Sequence, residues 1–339
     1  MKTRSLRTGL ALTELGLGTA QFGNLFKETT DEEAAGAYDA GFAGGVRYFD
    51  TAPHYGLGLS ERRLGAALAA TGTRDEIVLS SKVGKLLVDS PETADRLDDE
   101  GFVVPAATRR VWDYSRDGIL RSVEASLARL GTDRLDIAYL HDPDDHWEAA
   151  STTGVDTLVE LREQGVVGAI GAGMNQSAML AEFVRRTDVD VVMAAGRLTL
   201  LDQGASDELL PLAVARGVGV VAAAPFNSGL LSSDRVPEAA TFDYAQAPAE
   251  LLQKARDIAE VCARYGVSLP AAALQYPLGF PGVVSVVAGV RTAAQAASTA
   301  ERFAVTIPDE LWNELDEAGL APRPPASPTT PTPTKDSTR

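Results

Sequence analysis

LDIAYLHDPDDHWEAASTTGVDTLVELREQGVVGAIGAGM, residues 135–174, holds one complete unit of the architecture. Residues 135–141 are a short apolar run ending on a histidine, and residues 168–174 are a second run built of Gly, Ala, Ile and Met. An amphipathic segment starting near Trp147 separates them. Two apolar runs without polar alternation, joined by a helical pattern, read as neighbouring strands of a parallel sheet. Such strands are buried on both faces, and the crossover between them takes a helix.

The same rhythm continues in both directions. Apolar runs occupy residues 15–20, 45–50, 77–82, 135–141, 168–174, 189–195, 218–225 and 283–288. Each is followed by a helical segment, starting near Asp31, Ser60, Ser115, Trp147, Gln176, Ser206, Pro248 and Thr292. Several of these starts offer Ser, Thr or Asp as an N-cap. Eight strand–helix units predict a closed (β/α)8 TIM barrel of class α/β, because open doubly wound sheets usually stop at about five or six strands. Two connections exceed the minimal unit, residues 83–114 and 226–247. Both leave C-terminal strand ends, the side on which barrels carry their sites. The barrel is expected over residues 1–320 as a single domain. Residues 321–339, APRPPASPTTPTPTKDSTR, have almost no apolar side chains and are expected to be a disordered tail.

Composition narrows the function classes. The 339 residues include 31 Lys and Arg against 47 Asp and Glu, a net charge of −16, so no nucleic-acid partner is expected. Cys262 is the sole cysteine, which excludes an intramolecular disulfide and any multi-cysteine metal site. His54, His141 and His146 show no ligand spacing, and no metal is expected. No apolar stretch of membrane-spanning length occurs and the N-terminus lacks a signal-peptide core, so the reading is a cytoplasmic protein with no membrane partner. Oligomeric state leaves no trace in the sequence.

Ionisable residues at the ends of predicted strands carry the chemistry. Asp50 ends strand 2, with Tyr55 five residues on in DTAPHYG; Lys82 ends strand 3 in LSSKVG; His141 ends strand 4 in AYLHDPD. In a barrel these ends converge on one mouth. A lysine next to a phenol favours its phenolate, an aspartate keeps the ammonium charged, and a histidine can hold a substrate oxygen. That set suits proton transfer at a carbonyl or alcohol oxygen. Taken singly, Asp50 reads as a helix cap, Lys82 as an ion-pair partner and His141 as a buried imidazole. Four such residues on apolar strand ends point instead to a site.

GLGTAQFG, YFDTAPHYGLGLSERRLG, LSSKVGK, DYSRDGILRSVEASLARLGTDRLDIAYLHDPD and GAGMNQS resemble the aldo-keto reductase superfamily. Within it they are most similar to the bacterial aldose 1-dehydrogenase branch, which holds L-fucose, D-threo-aldose and pyridoxal 4-dehydrogenases. The resemblance covers about residues 15–303. It implies that Tyr55 donates and accepts the proton, that Lys82 with Asp50 tunes it, and that His141 orients the substrate oxygen.

It also implies an extended NAD or NADP bound without a Rossmann domain, and GLGTAQFG indeed lacks the GxGxxG spacing. Gly18, Thr19, Ala20 and Asp50 would lie near the nicotinamide, and Met174 and Asn175 would hold the carboxamide. Ala224, Phe226, Ser228, Gly229 and Leu230 would follow the pyrophosphate, and Gly289, Arg291 and Gln295 the adenosine end. Two positions depart from many relatives: Ala223 stands where an aromatic ring stacks on the nicotinamide, and Ala195 where a glutamine is common. Gly289 and Gln295 replace the Lys and Arg that pair a 2′-phosphate, and Ser298 and Thr299 replace a Glu–Asn pair, so the reading favours NAD. Trp112 and His54 are the expected substrate contacts. The substrate is expected to be a small carbonyl or sugar, an aldose oxidised to a lactone at its anomeric carbon. Aldehyde or ketone reduction, pyridoxal oxidation, Schiff-base chemistry at Lys82 and a nucleotide-sensing role remain alternatives.

Overall fold

Eight parallel strands close on themselves in the computed structural model, which describes residues 1–238, 240–242 and 245–325. They are β1 (Leu15–Gly18), β2 (Tyr48–Asp50), β3 (Val78–Val83), β4 (Leu135–His141), β5 (Val167–Met174), β6 (Val191–Ala195), β7 (Gly219–Ala223) and β8 (Val283–Gly289). Each coincides with one of the eight apolar runs. β8 pairs with β1 through Ala288 and Leu17, which completes the ring.

The helices are α1 (Asp31–Ala43), α2 (Leu59–Thr71), α3 (Arg116–Leu130), α4 (Val155–Glu163), α5 (Ser177–Arg186), α6 (Leu209–Arg216), α7 (Ala249–Arg264), α8 (Leu269–Gln275), α9 (Ala293–Phe303) and α10 (Asp309–Glu317). Local chemistry sets their starts. Thr30 and Glu33 form a capping box on α1, and Ser115 and Thr292 cap α3 and α9. The helical segment expected from Trp147 does begin there, but it widens into a π-helical turn over Ala150–Gly154 before α4 becomes regular. α8 and α10 follow weaker signals than the eight-unit reading used.

The core has two shells. Between strands and helices, side chains such as Leu15, Phe49, Leu64, Leu158 and Phe183 are fully buried. Inside the barrel, Tyr48, Ile137, Tyr139, Val191 and Val221 fill the lumen. Tyr48 fits because β1 carries Gly16 opposite it: a Cβ there would lie 2.6 Å from the Tyr48 ring. An antiparallel hairpin of Thr3–Ser5 and Ala11–Thr13 closes the N-terminal end of the barrel with Leu6 and Leu12.

At the other end, the long connection after β3 is built around a second hairpin, Lys85–Asp89 with Thr108–Trp112, in which Lys85 pairs with Trp112. No helix among the described residues is long and apolar enough to cross a membrane. The segment read as a tail begins ordered: Ala321 is buried, and the Tyr276 hydroxyl donates to the Pro322 carbonyl at 2.8 Å. Residues 326–339 of that segment lie outside the described residues.

Candidate active site at the barrel mouth

Alternation along three neighbouring strands sets the site. Tyr48 and Asp50 on β2, Ser80 and Lys82 on β3, and Tyr139 and His141 on β4 are spaced by two, so each pair shares one face of its strand. A polar column results. Tyr139 and Tyr48 hydroxyls lie 3.2 Å apart, Ser80 Oγ donates to Asp50 Oδ1 at 2.7 Å and lies 3.2 Å from Tyr48 Oη, and Lys82 Nζ donates to Asp50 Oδ2 at 2.6 Å. Lys82 Nζ also reaches the Thr51 carbonyl at 3.0 Å and lies 4.8 Å from the Tyr55 ring centroid. The His141 ring is 6.0 Å from the Tyr55 ring, and the His54 ring is 5.4 Å from His141. The four expected catalytic residues and His54 therefore meet at one point.

Tyr55 is placed by backbone rather than by its side chain. A Cβ on Gly23 would stand 2.5 Å from the Tyr55 carbonyl carbon, and one on Gly56, at φ 62°, would stand 2.2 Å from the Gly23 oxygen. The two glycines let the β1 and β2 loops touch main chain to main chain.

The charges differ from residue to residue. Burial alone would lower the Lys82 ammonium, but Asp50 and Tyr55 outweigh it and hold the pKa above the ordinary lysine value. Burial pushes Tyr55 up to about 12, with Lys82 pulling the other way. Burial, then Lys85, drives His141 well below its usual value and His54 down to about 2. The mouth thus holds a charged lysine, a protonated phenol and two neutral imidazoles at neutral pH. A permanently charged Lys82 opposes Schiff-base chemistry.

Several neighbours escaped the sequence reading. The Arg110 guanidinium pairs with Asp98, both buried, and donates to the His54 carbonyl at 2.9 Å. Phe102 packs edge-on against His54 at 5.3 Å. Lys85 Nζ pairs with Asp142 Oδ2 at 2.8 Å, and that same oxygen is 3.4 Å from His141 Nε2. Lys85, three residues after Lys82, and Asp142, directly after His141, were readable as charges at strand ends. The pairing of Arg110 with Asp98 has no local signal. Trp112 stands on the hairpin, 42% exposed, with Lys85 Nζ 5.7 Å from its ring.

The residues expected along a dinucleotide also converge on this face. Gly18, Ala20 and Gly289 lie at the joined ends of β1 and β8. Thr19 is fully engaged within the protein: its hydroxyl donates to the Asp50 carbonyl at 2.9 Å and meets Ser60 Oγ at 2.8 Å, its N–H donates to the same carbonyl, and its own carbonyl accepts from Ser60 Oγ at 2.6 Å. Met174 is buried at the end of β5, and the Asn175 amide beside it makes no hydrogen bond among the described residues. After β7, Ala224, Asn227, Ser228 and Gly229 all have positive φ, exposing Ser228 and Gly229 and burying Leu230. Phe226 is half-buried against the core. Ala195 and Ala223 are register partners on β6 and β7, and small side chains thus line that part of the mouth. Buried Oδ1 of Asn227 and Oε1 of Gln21 lack partners among the described residues. An unbonded amide, orphaned oxygens and a backbone-exposing loop fit an extended ligand rich in donors and acceptors.

Arg291 departs from the expectation. Its guanidinium donates to the carbonyls of Leu25 at 2.6 Å and Lys27 at 2.8 Å and to Thr29 Oγ1, and burial lowers its pKa. It ties down the loop after β1 and is not a free cation. Its own N–H is capped by Gln295 Oε1 at 2.8 Å, which occupies that side chain too.

Against this geometry, the pattern describing the Aldo/keto reductase family matches residues 14–319. The chain is 47% identical to a D-threo-aldose 1-dehydrogenase of a Pseudomonas species, over 93% of this chain and 97% of that one. It is 38% identical to a pyridoxal 4-dehydrogenase of Microbacterium luteolum, over 93% and 96%. Among solved structures it resembles an aldo-keto reductase of Bacillus halodurans in its holo form, with a TM-score of 0.72, 26% identity and coverage of 97% and 99%.

Proposed function

We propose, from the premise that the chain belongs to the aldo/keto reductase family, that it oxidises an aldose at the anomeric carbon to the lactone, with Tyr55 as general base. The family makes it an oxidoreductase acting on CH–OH and C=O groups with a nicotinamide cofactor. The aldose is favoured by the 47% identity with an aldose 1-dehydrogenase. The observation that carries the mechanism is the buried Lys82–Asp50 pair at 2.6 Å beside the Tyr55 ring.

A nicotinamide dinucleotide, when bound, supplies the hydride acceptor. This chain's residues handle the proton. Tyr55 receives the proton of the anomeric hydroxyl as the C1–H bond breaks, and the Lys82 ammonium stabilises the phenolate side of that transfer. Asp50 keeps the ammonium charged in a buried place where it would otherwise lose its proton. Neutral His141 can hydrogen-bond the sugar oxygen without competing for the proton. Asn175 would hold the carboxamide, and the 224–230 loop the pyrophosphate. NAD is favoured over NADP because the Arg291 guanidinium, the only cation within residues 288–295, is spent on the loop of residues 25–29.

The test is reduced-nicotinamide absorbance with NAD or NADP against free aldoses and pyridoxal. The wild type is expected to turn over an aldose with NAD, and Tyr55→Phe to lose about 10²–10⁴ in rate while still binding cofactor. A mutant retaining most of the rate refutes Tyr55 as the base. Turnover of pyridoxal alone replaces the substrate assignment and leaves the proton chemistry standing.

A further inference from the structure

We infer that Lys85, Asp142 and Trp112 form a subsite for the ring hydroxyls of a pyranose, directly beside the cluster of Asp50, Tyr55, Lys82 and His141; this rests on the aldose reading above. β3 does not continue past Val83. Gly84 turns the chain at φ 96°, where a Cβ would sit 2.1 Å from the Tyr114 ring, and the turn delivers Lys85 over the mouth. Its side chain is 6% exposed, yet among the described residues its ammonium has one hydrogen-bond partner, Asp142 at 2.8 Å. Two N–H bonds remain. Asp142 is 38% exposed at its side chain, so its carboxylate keeps acceptor positions open.

Position and strain agree. Asp142 has φ 43°, a conformation that costs a residue with a Cβ, and its N–H is anchored on the Gly173 carbonyl at 3.1 Å. Its Oδ2 lies 3.4 Å from His141 Nε2, which places the pair next to the oxygen His141 would hold. Trp112, the register partner of Lys85, presents a 42% exposed indole on the same hairpin.

The chemistry selects a polyol. Each sugar hydroxyl both donates and accepts, so an ammonium and a carboxylate 2.8 Å apart can serve the two halves of a vicinal diol. The C–H face of the ring suits the indole, which is apolar and rigid. Burying the Lys85 ammonium beside a carboxylate that is itself 38% exposed is costly. A site built for hydroxyls rejects a substrate without them.

The experiment compares oxidation of the panel aldoses with oxidation of 2-hydroxytetrahydropyran, which has the pyranose ring and anomeric hydroxyl and no other. The wild type is expected to prefer its best aldose by about tenfold or more in kcat/KM. Lys85→Met, Asp142→Asn and Trp112→Leu are each expected to shrink that ratio about tenfold, through KM for the aldose. Trp112→Leu alters an exposed side chain, so it reports even if a variant of the buried pair misfolds. Parallel losses on both substrates through kcat overturn the subsite and make the pair a support for His141. An unchanged ratio overturns it as well. A wild type that oxidises no aldose at all overturns the aldose reading first, which separates the two failures.

Discussion

Lys82 must stay charged inside a protein, and the arrangement around it shows the cost. Among the described residues its close charge partner is Asp50 at 2.6 Å, itself held by Ser80. Lys82→Met removes the cation that pulls Tyr55 down, so the phenol rises above its value of about 12. Oxidation needs the phenolate form, so the rate of this variant at fixed alkaline pH should fall and its rise with pH should move upward. Lys82→Arg, which keeps the charge, should move it less; a pH–rate profile under conditions where chemistry limits turnover checks both. Lys82→Met also leaves Asp50 buried and unpaired, and its unfolding free energy should drop by about 3–5 kcal/mol. The cluster of Asp50, Tyr55, Lys82 and His141 was legible because charged residues at the ends of apolar strands stand out against their surroundings. The partners of Arg291 were not legible for the opposite reason: a sequence shows a cation and not the carbonyls that will claim it.

At the scale of elements, the connection after β3 is where sequence reading stopped short. It is recognisable as long, but a hairpin whose strands are separated by residues 90–107 has no short-range turn signal. The barrel strands were readable because burial on both faces demands unbroken apolar runs. What fixes the long connection is Arg110, forked onto Asp98 at 2.6 Å and reaching the His54 carbonyl. Arg110→Leu strands a buried Asp98, so hydrogen exchange over residues 96–106 should accelerate and kcat should fall as the backbone next to Tyr55 loosens. Arg110→Leu with Asp98→Leu removes both charges and should be more stable than the single variant in thermal unfolding. The hairpin thus couples Trp112 to the main chain of the loop that carries His54 and Tyr55.

Over the whole molecule, the eight-unit count gave the barrel, and the ends of the chain were its blind spots. The N-terminal hairpin is too short to show periodicity, and the Pro-rich composition after residue 320 hid the docking of its first residues. A chain ending at residue 325 should unfold where the full chain does. Ending it at residue 320 deletes the Tyr276–Pro322 hydrogen bond and the buried Ala321. That should cost about 1–2 kcal/mol and lower Tm by a few degrees at this size. Calorimetry on the two truncations checks the difference.

The meeting of Gly23 with Gly56 is a clearance fit. Where two side chains touch, an extra methyl can be absorbed by a turned rotamer; here main chain faces main chain and nothing can turn. The permitted error in the height of Tyr55 above Lys82 is therefore set by two residues that have no side chain at all. They are positions at which the smallest possible addition of matter should disturb chemistry without their ever meeting the substrate.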